Sequence, residues 1–134
     1  MPYTITYDPE SDIVNLAFTG EITGIVMSEA TSKCIALQKQ SRALRFLVEV
    51  NGWEVVASFV DIYKLVYDQY AAEAAHRLSR IAVVLPTTAS GQTAATFYET
   101  VSQNAGWKAQ VFASRKNAID WLTTSENINV VAAD

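Results

Sequence analysis

Cysteine and histidine are almost absent from this sequence, with one of each, Cys34 and His76, in 134 residues. A lone cysteine forms no intramolecular disulfide, which fits a reducing, cytoplasmic compartment. A structural zinc site needs about four Cys or His ligands, so no metal site is expected, and no cofactor motif is present. Basic residues are the minority, ten against fourteen acidic, for a net charge of -4 and a pI near 4.9. A nucleic-acid partner calls for clustered Lys and Arg that displace phosphate counterions, and none is expected here. Long apolar runs are missing too. The longest, Ile81 to Leu85, falls far below the ~20 residues that span a bilayer. Met1-Pro2-Tyr3-Thr4-Ile5 lacks the basic start and apolar stretch of a secretory signal.

Against those absences, half of the residues are apolar, with only three prolines and five glycines. Such a composition folds rather than staying disordered. A chain of this length buries roughly two-thirds of its unfolded surface, enough for one core and not for two. We expect a single domain over 1–122 and a C-terminal tail over 123–134 that frays or adds an edge strand through Ile128, Val130 and Val131.

The order of elements follows from periodicity and punctuation. Tyr3–Tyr7 and Ile13–Phe18 are rich in β-formers and flank Asp8-Pro9-Glu10-Ser11-Asp12, a turn, so the chain opens on a hairpin. Met27, Ala30, Cys34 and Leu37 recur at helical spacing within a helix over 23–40, which reads Cys34 as a small core residue. Arg45–Val50 is a strand ending at Asn51-Gly52, and a helix follows over 56–75. Arg80–Leu85 is a continuous apolar strand stopped by Pro86, as in a parallel sheet covered on both faces. The next helix turns Ala94, Phe97, Val101 and Ala105 inward and closes at Gly106. Lys108–Phe112 is the last strand, and Ser114 caps a helix carrying Ala118, Trp121 and Leu122. Strands alternating with helices predict an α/β domain with a largely parallel sheet and right-handed crossovers.

In this order the hairpin, Phe46-Leu47-Val48-Glu49-Val50, Arg80-Ile81-Ala82-Val83-Val84, and the run from Gly106 through Val111-Phe112 to Trp121-Leu122 resemble the SpoIIAA-like branch of the STAS family. That family includes anti-sigma-factor antagonists. The resemblance covers about residues 3–122 and implies a β/α superhelix of about five strands and four helices. It also implies a regulatory serine at the start of the helix after the third strand, which falls on Ser58. Ala57 stands where the family motif has an acid, and Phe59-Val60 replace its small residues. Read from the residues alone, Ser58 is the N-cap of that helix, with Asp61 completing a capping box.

The same helix carries an unusual stripe. At 100° per residue, Phe59, Tyr63, Tyr67 and Tyr70 fall within about 80° of arc, flanked by Val60, Val66 and Ile62, and Trp53 extends the apolar surface upstream. The whole apolar arc spans roughly 160°, wider than the ~100° a sheet-covering helix needs. Three readings stay open: core with hydroxyls at its edge, an interface with a protein partner or a second copy, or a pocket or membrane-facing lid for an apolar ligand. The polar face holds Lys64, Asp68 and Asp61, little basic charge for a membrane surface.

The remaining candidates are bland. His76 reads as a solvated surface residue, and Glu49 sits at the rim of an apolar strand. Thr87-Thr88-Ala89-Ser90-Gly91 opens a helix at an anion-binding position but matches no P-loop spacing. No Gly-x-Ser-x-Gly elbow or Gly-x-Gly-x-x-Gly fingerprint occurs. The sequence therefore points to a cytoplasmic STAS-like regulatory or interaction domain without catalysis. The alternative is a binder of a small apolar ligand or lipid, or a peripheral membrane protein, acting through the helix over 56–75.

Overall fold

The computed structural model describes residues 2–50 and 55–132, with side chains through Thr123. Its five strands form one sheet in chain order: β1 (Tyr3–Asp8), β2 (Ile13–Phe18), β3 (Arg45–Val50), β4 (Arg80–Val84) and β5 (Lys108–Phe112). β1 pairs antiparallel with β2, and every later neighbour is parallel. This is the hairpin-led, mostly parallel α/β sheet that the alternation of strands and helices predicts.

Four helices connect or follow the strands. α1 (Gly24–Ser41) joins β2 to β3. α2 joins β3 to β4 and is composite, with an α-helical start Phe59–Lys64, a π-helical centre Leu65–Gln69 and a closing turn Tyr70–Ala72. α3 (Ala89–Asn104) joins β4 to β5, and α4 (Arg115–Ala132) ends the fold.

Strand alternation sorts the side chains onto two faces. Val14, Leu16, Phe46, Ile81 and Val83 meet α1, α2 and α3 in the larger core, whereas Ile13, Leu47 and Ala82 meet Ala118 and Leu122 of α4 on the opposite face. Glu49 also faces the α4 side, at the rim, where it accepts a hydrogen bond from Arg115 Nε at 3.1 Å.

Three local expectations change. α2 begins at Phe59 rather than Val56: Val55 bridges Ile22 as in a parallel pair, the Val56 and Ala57 amides both donate to the Ile22 carbonyl at 2.9 and 3.0 Å, and Ser58 is still extended. α4 does not stop at Leu122. No proline or glycine interrupts the sequence before Ala132, so a helix anchored by Leu122 propagates, and the stretch holding Ile128, Val130 and Val131 is helical rather than an edge strand. α1 buries Ile35 and Gln38 along with Ala30 and Cys34, so its inner face is turned slightly from the Met27-to-Leu37 line. Gln38 survives burial because its amide is fully used: Nε2 donates to the Ala43 carbonyl at 3.0 Å and Ser79 Oγ at 2.7 Å, and Oε1 accepts from the His76 amide at 3.1 Å.

Candidate functional site

Ser58 sits at the head of α2 in extended conformation (φ -79°, ψ 165°) and is exposed. Its Oγ accepts from the Asp61 amide at 3.0 Å, and Asp61 Oδ2 accepts from the Ser58 amide at 3.0 Å. Two of the free amides at the helix start are thereby satisfied reciprocally. The Asp61 carboxylate also lies against the first residue of α1, so close that a Cβ added at Gly24 would come within 2.6 Å of Oδ2. One short acidic side chain thus caps the start of α2 and packs against the start of α1.

The aromatic stripe divides in two. Phe59, Tyr63 and Tyr67 are 51%, 51% and 40% exposed, beside Val60 at 61%, while Tyr70 is only 7% exposed. The cause is the π turn. The Tyr70 amide donates to the Leu65 carbonyl, an i→i+5 bond, and this wide turn rotates Tyr70 off the Tyr63–Tyr67 row and into the core, where its ring meets Trp107 edge to face at 5.1 Å. A wheel drawn at constant 100° misses this. On the outside, Tyr63 and Tyr67 stack with ring centroids 4.5 Å apart, and Phe59 stacks on Phe97 of α3 at 4.4 Å. Trp53 lies outside the described residues.

Beneath α2, between the sheet and the helices, is an apolar cavity of about 140 Å³. Leu16, Phe46, Val48, Val50, Ile81 and Val83 form its sheet-side wall, and Cys34, Ile62, Leu65 and Tyr98 are among its helix-side residues. The cavity exists because the helices offer small residues opposite branched strand residues, with Gly91, Ala94 and Ala95 on α3 and Ala75 after α2. That pairing of small against large was the readable signal, and periodicity counts alone pass over it. Tyr98, another wall residue, was not singled out by its sequence position.

The polar atoms at the wall are few. Tyr70 and Tyr98 place their hydroxyls 2.6 Å apart, joining α2 to α3. Burial pushes both phenols above their ordinary range, and Tyr70 rises far above it. Burial also pushes the Cys34 thiol up to about 12, which makes it a neutral wall residue at physiological pH. On the α1 side, α2 is held by hydrogen bonds. Gln69 Nε2 donates to the Ser28 carbonyl at 2.9 Å and Ser32 Oγ at 3.0 Å, and Ser32 Oγ donates to Glu73 at 2.7 Å.

His76 is exposed in the turn after α2, where its Nδ1 accepts from the Leu78 amide at 3.1 Å. Thr88 caps α3, its Oγ1 accepting from the Gly91 amide at 3.1 Å. Among the described residues no group of three His, Cys, Asp or Glu is placed to hold a metal ion, and no helix is long and apolar enough to cross a membrane.

A family model described as SpoIIAA-like matches residues 13–123, from β2 into α4. The chain belongs to the SpoIIAA-like family. The match includes every helix start and the whole cavity wall, and the five-stranded sheet with its opening hairpin is consistent with the STAS fold. Neither a curated protein nor a solved structure matches this SpoIIAA-like chain.

Proposed function

We propose that this SpoIIAA-like domain is a non-catalytic regulatory module that binds a protein partner through the outer face of α2. The observation that carries this reading is the row Phe59, Val60, Tyr63 and Tyr67, four large apolar or aromatic residues left exposed side by side on one helix. Aromatic side chains anchor protein interfaces because they bury much surface at small entropic cost. Ser58 stands at the head of that row. A phosphate there would meet the Asp61 carboxylate that now shares the capping box, and would break the reciprocal bonds that start the helix.

The test is a photocrosslinking amino acid at position 63 in cells, with sedimentation of the purified protein alongside. Crosslinks to a second copy or to one discrete protein, lost on Tyr67→Asp, are expected. A monomer with no crosslinked species overturns the reading.

A second reading is favoured by the cavity, a volume already open between sheet and helices. In that reading the domain carries or senses an apolar ligand, with α2 as its cover. Native mass spectrometry of the purified protein tests it, since a co-purifying small molecule that extracts into organic solvent supports it and a bare chain counts against it.

A further inference from the structure

We propose that the cavity takes an uncharged, slender molecule of about six to eight carbons, bound with a single hydroxyl or carbonyl against the Tyr70–Tyr98 hydroxyl pair. This rests on the second reading above, that the cavity is a ligand site.

Size sets the first limit. An apolar cavity of about 150 Å³ holds one benzene-sized molecule, and this one measures about 140 Å³. Shape sets the second. β3 contributes Phe46, Val48 and Val50 to the wall, so the space follows four steps of strand, roughly 13 Å. A short chain fits such a space, whereas a diacyl lipid does not.

Chemistry sets the third limit. Tyr70 and Tyr98 hold two hydroxyl protons and use one between their oxygens, at 2.6 Å. The buried Ser102 hydroxyl is also placed to donate to Tyr98, which takes a lone pair and leaves one phenol O–H for a third partner. Gln38 and Ser79, also on the wall, spend their hydrogen bonds on each other and on the Ala43 and His76 backbone. Among the described residues no lysine, arginine or histidine lines the cavity, so a carboxylate head would be buried without a countercharge. The wall therefore accepts a neutral head and rejects an anionic one.

The experiment is titration calorimetry at pH 7.5 with 1-octanol and with octanoate, on the full chain and on Tyr98→Phe and Tyr70→Phe. Calorimetry with toluene, an uncharged apolar probe of seven carbons, reports on the cavity independently. The expected result is binding of 1-octanol at least ~100-fold tighter than octanoate, with each Phe variant weakening 1-octanol about fivefold, as loss of one neutral hydrogen bond implies. Thermal unfolding of each variant shows whether it is folded, and the octanol-to-octanoate ratio of the unaltered chain needs no variant at all. Equal binding of octanoate, or Phe variants that are folded and keep full affinity, overturns the head-inward assignment while the cavity remains a ligand site. No binding of 1-octanol, octanoate or toluene overturns both the assignment and the reading beneath it.

Discussion

Gln69 of α2 and Ser28 of α1 are joined twice: the Ser28 hydroxyl donates to Gln69 Oε1 at 2.9 Å, and Gln69 Nε2 donates to the Ser28 carbonyl at 2.9 Å. Glu73 lies on the same amide, accepting from Nε2 at 3.0 Å. Because α2 covers the cavity instead of filling it, these bonds supply attachment that packing would otherwise supply. Gln69→Leu should lose about 1–3 kcal/mol in urea unfolding, the cost of stripping partly buried partners. Gln69→Glu should lose at least as much at pH 7 and recover towards pH 4. It places a carboxylate beside Glu73 and the Ser28 carbonyl, and protonation relieves that repulsion.

The contact between Asp61 and Gly24 couples two helix starts. Ser58→Ala should cost about 1 kcal/mol by removing the N-cap acceptor. Gly24→Ala should also destabilise, because its Cβ would press within 2.6 Å of Asp61 Oδ2 and push the carboxylate out of its bond to the Ser58 amide. In an Asp61→Ala background that penalty should vanish. A double-mutant cycle in urea measures the coupling, and additive losses would show that the two helix starts are independent.

Cys34 gives a pH dependence with a defined sign. Its folded pKa, about 12, lies above the ordinary thiol value. The folded state therefore keeps a proton that the unfolded chain gives up. Stability from this group is complete below about pH 9 and falls as pH rises from there to about 12, by up to about 1.4 kcal/mol per pH unit. Tyr70, also raised, adds a loss of the same sign at high pH. At pH 8 the thiol should be inert to Ellman's reagent in the native protein and react promptly in 6 M urea. Fast labelling of the native protein would mean that the cavity opens widely in solution.

What was legible in the sequence follows from what a local pattern can encode. Ile13–Phe18, Arg45–Val50 and Lys108–Phe112 were read to the residue because β-branched and aromatic runs end at clear turn signals. The Ser58–Asp61 pair was legible for the same reason, as four consecutive residues that carry a complete cap. Tyr70 was misplaced because a π turn has no reliable mark in the sequence, and one wide turn rotates every residue after it. Gln38 was missed because two of its three partners, at residues 76 and 79, are distant in sequence. The cavity is harder still to read, since it is the volume left over when small helix residues face branched strand residues across the fold.

The divided stripe on α2 makes the sharpest stability contrast in the molecule. Ile62 is buried, 2% exposed, and faces the cavity one residue before half-exposed Tyr63. Ile62→Ala should cost about 2–4 kcal/mol, as large-to-small core changes do. Serine at both 63 and 67 removes two rings and their stack, yet should cost under about 1.5 kcal/mol, because half of each ring already faces water and an aromatic pair adds only about 0.5–1.5 kcal/mol. Urea unfolding of the two variants decides between core and surface. If the double serine variant loses as much as Ile62→Ala, the row supports the core and the docking reading loses its basis. If it folds with nearly full stability, and Tyr67→Ser alone removes the position-63 crosslink, the outer tyrosines serve a partner, while Ile62 and Tyr70 serve the fold and the cavity.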